Sequence, residues 1–330
     1  MHIIYKMTYL LIMKTSILVG GQAVIEGVMM RVPGAYATAL RLKNGRIISK
    51  RYNFVSIIEK HKLKNHYVIR GMFHLYESMQ IGYKTLEWSA STYEKDSYGK
   101  NKKQPTTNKG IEYLINMLSI AFGLSLFILL PLFLATFIIG DSSNKPFYFN
   151  IISGIIRIII FLTYLLLISQ LKDVYKLFQY HGAEHKTVYN FESGKTLHYS
   201  EAQKFSRKHP RCGTSFIFII MLVTIFSYAI FDTIALFFIN NLTIFLRFTM
   251  HIILLPLVAG IGYEVLKFLA KRQHIKICSL LSKPGLWLQN ITTKPPKKEH
   301  IEVAIYALKE AFGKDITHYT GKEYRADSIG

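Results

Sequence analysis

Cysteine is nearly absent: Cys212 and Cys278 are the only two in 330 residues. So low a count excludes a disulfide framework as the basis of the fold, and both residues are expected on the reducing, cytoplasmic side of a membrane. Acidic residues are also scarce. Asp and Glu total 20 against 41 Lys and Arg, a formal charge of +21. In a soluble domain that excess would point to nucleic acid. Here the basic residues avoid the apolar runs and gather between them, as membrane flanks do. Ile, Lys, Asn, Tyr and Phe are all abundant, as biased base composition would make them, so the lysine excess by itself carries little weight. The glycines form neither G-x-G-x-x-G nor G-K-[ST], which excludes both familiar phosphate-binding loops.

What the chain does have is apolar length: half of its residues are hydrophobic. Four long runs stand out, at 111–140, 147–170, 214–240 and 242–270. Each is long enough to cross about 30 Å of hydrocarbon as a helix. The joins at 141–146 and 240–241 hold one lysine, whereas 171–211 holds eight Lys or Arg. The positive-inside rule therefore places both termini and the central loop in the cytoplasm of a multi-pass cell-membrane protein. The expected fold is an α-helical integral membrane protein with about four transmembrane helices. A small α+β cytoplasmic portion would come from the N-terminal region, the central loop and the C-terminal tail.

Residues 1–16 form an apolar extension too short to span, and Met13 is an alternative start. Residues 17–90 form the cytoplasmic α+β segment. Ile17-Leu18-Val19 reads as a short strand, and the following glycines allow turning or close packing. Glu26 and Arg31 are polar residues in an apolar stretch, read either as an ion pair or half-exposed strand, or with Glu26 in the site. Tyr36–Phe54 reads as a hairpin turning at Asn44-Gly45. Residues 68–90 read as a helix with Met72, Leu75, Met79, Tyr83 and Leu86 on one stripe. A polar linker over 91–110 precedes the first span. In the tail, 271–330, Pro284-Gly285 suits a turn, Trp287 an interfacial position, and Ile301, Ile305, Leu308 and Phe312 a packed helical stripe.

The densest chemistry lies in the loop 171–212. In His181-Gly182-Ala183-Glu184-His185, a helix would set His181, Glu184 and His185 on one face. Two imidazoles on one face can hold a divalent metal, and the glutamate can act as ligand or base. H-x-x-E-H is the inverted zinc-peptidase pattern. His209 and Cys212 follow just before the third run and extend the candidate metal set to His181, His185, His209 and Cys212, with Glu184 as the catalytic base. The plain alternative is that histidines in a membrane-surface loop bond water or lipid phosphate. Gly182 weakens an isolated helix by about 1 kcal/mol relative to Ala, so this helix depends on its surroundings. Charges inside the runs are functional candidates by default. Asp232 is expected to pair with Arg247 or Arg157, and Glu264 either to pair with Lys267 or to join the site.

Several long words resemble one family. They are Gly21-Gln22-Ala23-Val24-Ile25-Glu26-Gly27-Val28-Met29-Met30-Arg31, Val68-Ile69-Arg70-Gly71-Met72, Tyr180–Thr187, His209–Phe216, Pro256–Gly260 with Tyr263-Glu264, and Pro284–Gln289. In this order they resemble the YqhQ-like family of bacterial membrane proteins, described as predicted metal-dependent enzymes. The resemblance runs from residue 20 to about 310, implies a metal and fixes no reaction. Lys297 and Lys298 stand where acidic residues are expected, which argues against a carboxylate role there.

Three functions follow as expectations. In the first, the chain is a metal-dependent hydrolase at the cytoplasmic membrane surface. Zinc suits its N and S donors, and the substrate is a lipid headgroup or a membrane-proximal peptide. In the second, the same four residues form a closed structural zinc site in an assembly or scaffolding factor. In the third, Asp232, His251 and Glu264 form an ion path, against which the lack of an inverted repeat counts. Membrane lipid is an expected partner, nucleic acid is not, and a homo-oligomer is compatible with each reading.

Overall fold

The computed structural model describes residues 19–98, 109–140, 145–272 and 275–324. The N-terminal extension, and with it the start at Met13, lies outside them.

Strands β1 (Gly20–Val24), β2 (Gly27–Val32), β3 (Ala35–Arg41) and β4 (Ile47–Asn53) form an antiparallel meander in chain order. The hairpin expected around Asn44-Gly45 is present: Ala35 pairs Asn53, Arg41 pairs Ile47, and Gly45 takes φ 83° in the connection. The glycine-rich word before it is a second hairpin. It turns at Ile25-Glu26, with Glu26 at φ 57°, and Val24 pairs Gly27. Glu26 therefore sits at a turn and pairs with Lys176 at 2.6 Å, not in the site.

Side chains alternate across the sheet, as strand geometry requires. Val28, Met30, Val32, Ala35, Ala37 and Ala39 face the main core, whereas Met29 and Tyr36 face the other way, toward Ile81.

The chain then enters α1 (Ile69–Tyr98). This helix runs eight residues past the expected 90 and takes the start of the supposed linker; 99–108 lie outside the described residues. Its apolar stripe is covered only at the start, where Met72 and Leu75 are half-buried. Met79, Tyr83 and Leu86 are exposed, while Gly71, Glu77, Ile81, Gly82, Thr85 and Ser89 are buried. Small residues let the helix approach closely. A Cβ on Gly71 would lie 2.8 Å from the Gly260 carbonyl, and one on Gly260 would lie 2.5 Å from that of Val68. Buried Glu77 accepts from Ser56 Oγ at 2.9 Å and from the Ile57 N–H, tying the segment after β4 to α1.

Four helices are long and apolar enough to cross a membrane, making this an α-helical integral membrane protein. The first span, Tyr113–Ile139, comprises α2 (Lys109–Leu124), a π turn (Ser125–Leu129) and α3 (Leu130–Ile139). The others are α4 (Pro146–Ile168), α6 (Gly213–Ala235) and α7 (Ile244–Lys271). Pro146 begins α4, where its missing N–H costs nothing. Thr243 caps α7 by accepting from the Leu246 N–H at 3.3 Å. The wide π turn offers the Phe127 carbonyl to Arg157 Nε at 3.0 Å.

The stretch read as a long loop is largely helical. Helix α5 (Lys172–Glu192) follows α4 almost directly, and a single turn follows at Tyr199–Ala202. The tail contains α8 (Lys276–Thr292) and α9 (Lys298–Phe312). Pro284-Gly285 is not a turn but lies within α8. Gly285 fits against Ser215, where a Cβ would stand 2.8 Å away. On α9, Ile301, Ile305, Leu308 and Phe312 are buried as expected, packed with α5 against the inner face of the sheet.

Candidate functional site

Helix α5 splits its surface between two tasks. Tyr180, Ala183, Val188 and Phe191 pack into the core with the sheet and α9. His181, Glu184 and His185 flank that stripe and meet the segment that leads into α6. Gly182 is required because the chain crosses here: a Cβ would lie 2.4 Å from the Lys294 carbonyl. The surroundings on which this helix depends are therefore residues 294–296.

The donor atoms are aimed by backbone carbonyls. His181 Nδ1 bonds the Thr292 carbonyl at 2.8 Å, and His185 Nδ1 bonds that of Arg207 at 2.5 Å. A carbonyl only accepts, so both Nδ1 atoms carry the proton and both Nε2 lone pairs are turned to the other side. That side holds Cys212. His181 Nε2 lies 3.1 Å from its Sγ, and the donor atoms of His181, His185 and Cys212 all lie within 4.8 Å of one another. Cys212 is fixed as the N-cap of α6, accepting from the Thr214 N–H at 3.5 Å.

Glu184 Oε2 is 3.9 Å from His181 Nε2 and 3.7 Å from His185 Nε2. Burial raises its pKa, opposed by the neighbouring imidazoles and by a hydrogen bond from the Gly21 backbone. Gly21 must be glycine for that approach, since a Cβ would stand 2.8 Å from Glu184 Cγ. Burial lowers the pKa of His185.

His209 is placed differently. Its Nδ1 accepts from the Arg211 N–H at 3.3 Å, and its Nε2 faces Glu192 at 3.8 Å. It lines the same small cavity, of about 120 Å³, but its donor does not join the converging three. Burial pushes its pKa down to about 4. The His209 backbone is clamped by buried Gln289, whose Oε1 accepts at 2.7 Å and whose Nε2 donates at 2.8 Å. Arg211 bonds Glu192 behind it. Lys186 holds the Gln203 carbonyl at 2.7 Å and Tyr189 the Lys208 carbonyl at 3.1 Å.

Gly21, Gln289, Thr292 and the Glu192–Arg211 pair thus shape the site; the sequence allowed Gly21 close packing without naming its partner and named no role for the others. Gly21 and Gln289 lie inside words that carry the family resemblance, but local pattern gives neither partner. Glu264 is outside the site. It forms a two-pronged pair with Arg70, at 2.7 and 2.6 Å, and not the pair expected with Lys267. Asp232 pairs with Arg247 at 2.8 Å, as one of the two expectations had it, and with His251 at 3.0 Å. The three residues considered for an ion path are therefore split between two separate clusters.

Comparison with known proteins adds a family without an activity. The chain is 34% identical over 307 residues to the uncharacterized protein YqhQ of Bacillus subtilis (strain 168), covering 88% of this chain and 91% of that one. No solved structure matches. A family profile described as "Protein of unknown function (DUF1385)" matches residues 67–314. The chain therefore belongs to the DUF1385 family, to which the resemblance to YqhQ-like membrane proteins had pointed.

Proposed function

We propose that the protein is a metal-dependent membrane enzyme, a hydrolase working at the cytoplasmic face of the cell membrane. The observation that carries this is the pair of carbonyl-anchored imidazoles whose Nε2 atoms converge with one thiol, beside a buried carboxylate. Two nitrogens and a sulfur suit zinc. Carbonyl acceptors behind ligating imidazoles are the usual means of fixing their tautomer. His181, His185 and Cys212 would hold the ion, which would supply Lewis acidity toward a water or a substrate oxygen. Glu184 would take the proton from that water, held in place by the Gly21 N–H. His209 would brace the loop rather than ligate. The basic residues gathered at this end of the bundle support its facing the cytoplasm.

Burial favours a second reading. His185 is 2% exposed and Cys212 6%, as in a closed structural site with Glu184 as fourth ligand. One experiment separates the two. Metal is measured by mass spectrometry on detergent-purified wild type, His185→Ala and Glu184→Gln. The enzyme reading expects about one zinc per chain, lost in His185→Ala and kept in Glu184→Gln, with loss of function in cells in both variants. Loss of zinc from Glu184→Gln supports the structural site, and a metal-free wild type overturns both readings.

A further inference from the structure

Three cavities run in series from the end of the fourth span to the histidine cluster. The first, about 300 Å³, is lined by Arg31, Phe54, Ser56, Arg70, His74 and Lys267 among others. The second, about 210 Å³, shares Arg31 with the first and adds Met29, Ile81 and Arg211. The third is the 120 Å³ cavity of the site, which shares Gly20, Gly21 and Arg211 with the second. The edge strand β1 borders the last two and Arg31 the first two, so each cavity shares wall residues with the next and the row marks a route.

Charge along the route is one-sided. Arg31, Arg70, Lys267 and Arg211 line it, against Glu59 at its outer end and Glu184 at its inner end. The carboxylates that anchor the arginines stand behind them and do not line these cavities. Glu264 holds Arg70, Glu77 holds Arg31 at 4.0 Å, and Glu192 holds Arg211. Arg31 is further fixed over the Phe54 ring at 4.6 Å. Guanidiniums braced in this way are preorganised for phosphate oxygens.

The outer end lies beside the last turns of the fourth candidate span. Lys267 is in the last turns of α7, and α1 packs on Gly260, about 16 Å before the end of that helix at a rise of about 1.5 Å per residue. A ligand reaching this end from the bilayer would present its headgroup to Arg31, Arg70 and Lys267. Between the cations, Met29 and Ile81 provide an apolar wall.

We infer that this route binds the phosphate-bearing headgroup of a membrane amphiphile and leads it to the His181–Glu184–His185–Cys212 cluster. It thus names a substrate class and rests on the proposed hydrolase.

The test uses the full chain in phosphatidylcholine nanodiscs with and without a minor fraction of phosphatidic acid, and reads bound phosphatidic acid per chain by native mass spectrometry. The expected result is retention of phosphatidic acid over phosphatidylcholine, weakened about tenfold by Arg31→Gln or Lys267→Gln, the effect of one lost charged hydrogen bond. Lys267→Gln, on a half-buried side chain, is the control should Arg31→Gln fold poorly. His185→Ala is expected to lose the metal and keep the lipid, whereas a wild type that retains the lipid without any metal would sink the enzyme reading and leave the lipid binding standing. Zinc present with no preference for phosphatidic acid, or a preference untouched by Lys267→Gln, would overturn the inference. So would inorganic phosphate displacing the lipid completely at equal concentration, which would make free phosphate the ligand.

Discussion

Two buried polar clusters sit toward opposite ends of the helix bundle, and both are built from histidine and carboxylate. In the far cluster, Asp232 is the hub. Its Oδ2 accepts from Asn150 at 2.8 Å and forms an ion pair with Arg247 Nε at 2.8 Å, and its Oδ1 meets His251 Nε2 at 3.0 Å. Arg247 stacks on Phe149 at 4.1 Å, and the His251 ring lies flat on Tyr228 at 3.8 Å. Charge is cancelled inside the cluster, as the hydrocarbon demands. In the near cluster the partners pull from outside, with carbonyls taking Nδ1 and leaving both Nε2 atoms turned to a thiol. Histidine beside carboxylate is thus no signal by itself. What distinguishes the two clusters is the group that the Nε2 atoms meet, the Asp232 carboxylate in one and the Cys212 thiol in the other.

The largest expected effect lies in the far cluster. Asp232→Ala leaves Arg247 buried without its main counterion, and breaking a buried pair typically costs about 3–5 kcal/mol. Thermal unfolding in detergent should show a large drop, while, on the proposed metal reading, zinc per folded chain stays as in wild type. Asp232→Leu with Arg247→Leu should recover most of the loss. A single variant as stable as wild type would mean that this cluster is no clamp, and the comparison would fail.

A smaller effect is expected at the near cluster. Gly21→Ala puts a Cβ against both the Met29 carbonyl and Glu184, so β1 must shift. Overpacking of this kind costs about 1–3 kcal/mol, and zinc retention should fall with it. Gly20→Ala meets nothing within 4 Å and should behave as wild type. Equal zinc content in the two variants would show that β1 does not support the site.

The smallest effect concerns a buried imidazole outside both clusters, His300. His300 accepts from the Lys297 N–H at 3.0 Å and sets its edge on Tyr180. Burial, with Lys176 nearby, lowers its pKa from 6.5 to about 4, opposed by Glu299. The folded chain therefore holds it neutral where the unfolded chain takes up a proton. Its contribution is complete above pH 6.5 and is lost as pH falls toward 4. The fall in melting temperature between neutral and mildly acid pH should be shallower in His300→Gln, and an equally steep fall would remove His300 from the account.

Much of the scaffold is legible in the sequence because it rests on local chemistry. Long apolar runs mark the spans, Asn44-Gly45 marks the hairpin, and the spacing of His181, Glu184 and His185 marks one helix face. What is not legible depends on partners far along the chain. Periodicity finds the two faces of α1 but not which one is buried, because Gly71 and Gly82 make the contact and Met79 and Tyr83 do not. A polar helix such as α5 reads as loop until the sheet and α9 cover one side of it. Pro284 suggests a turn, yet helix α8 carries it. Glu264 meets Arg70 from 194 residues away, and His209 is held by Gln289 from 80, distances over which no spacing rule operates.

The carbonyl that fixes His181 belongs to Thr292, and the amide that clamps His209 belongs to Gln289, both in α8. α8 is synthesised after the last span. During translation His181 is thus made well before the carbonyl that fixes it, and it lacks that partner until α8 has been synthesised and folded back onto the start of α6. A chain stalled or cut before Gln289 would carry every candidate donor residue without the groups that aim His181 and clamp His209.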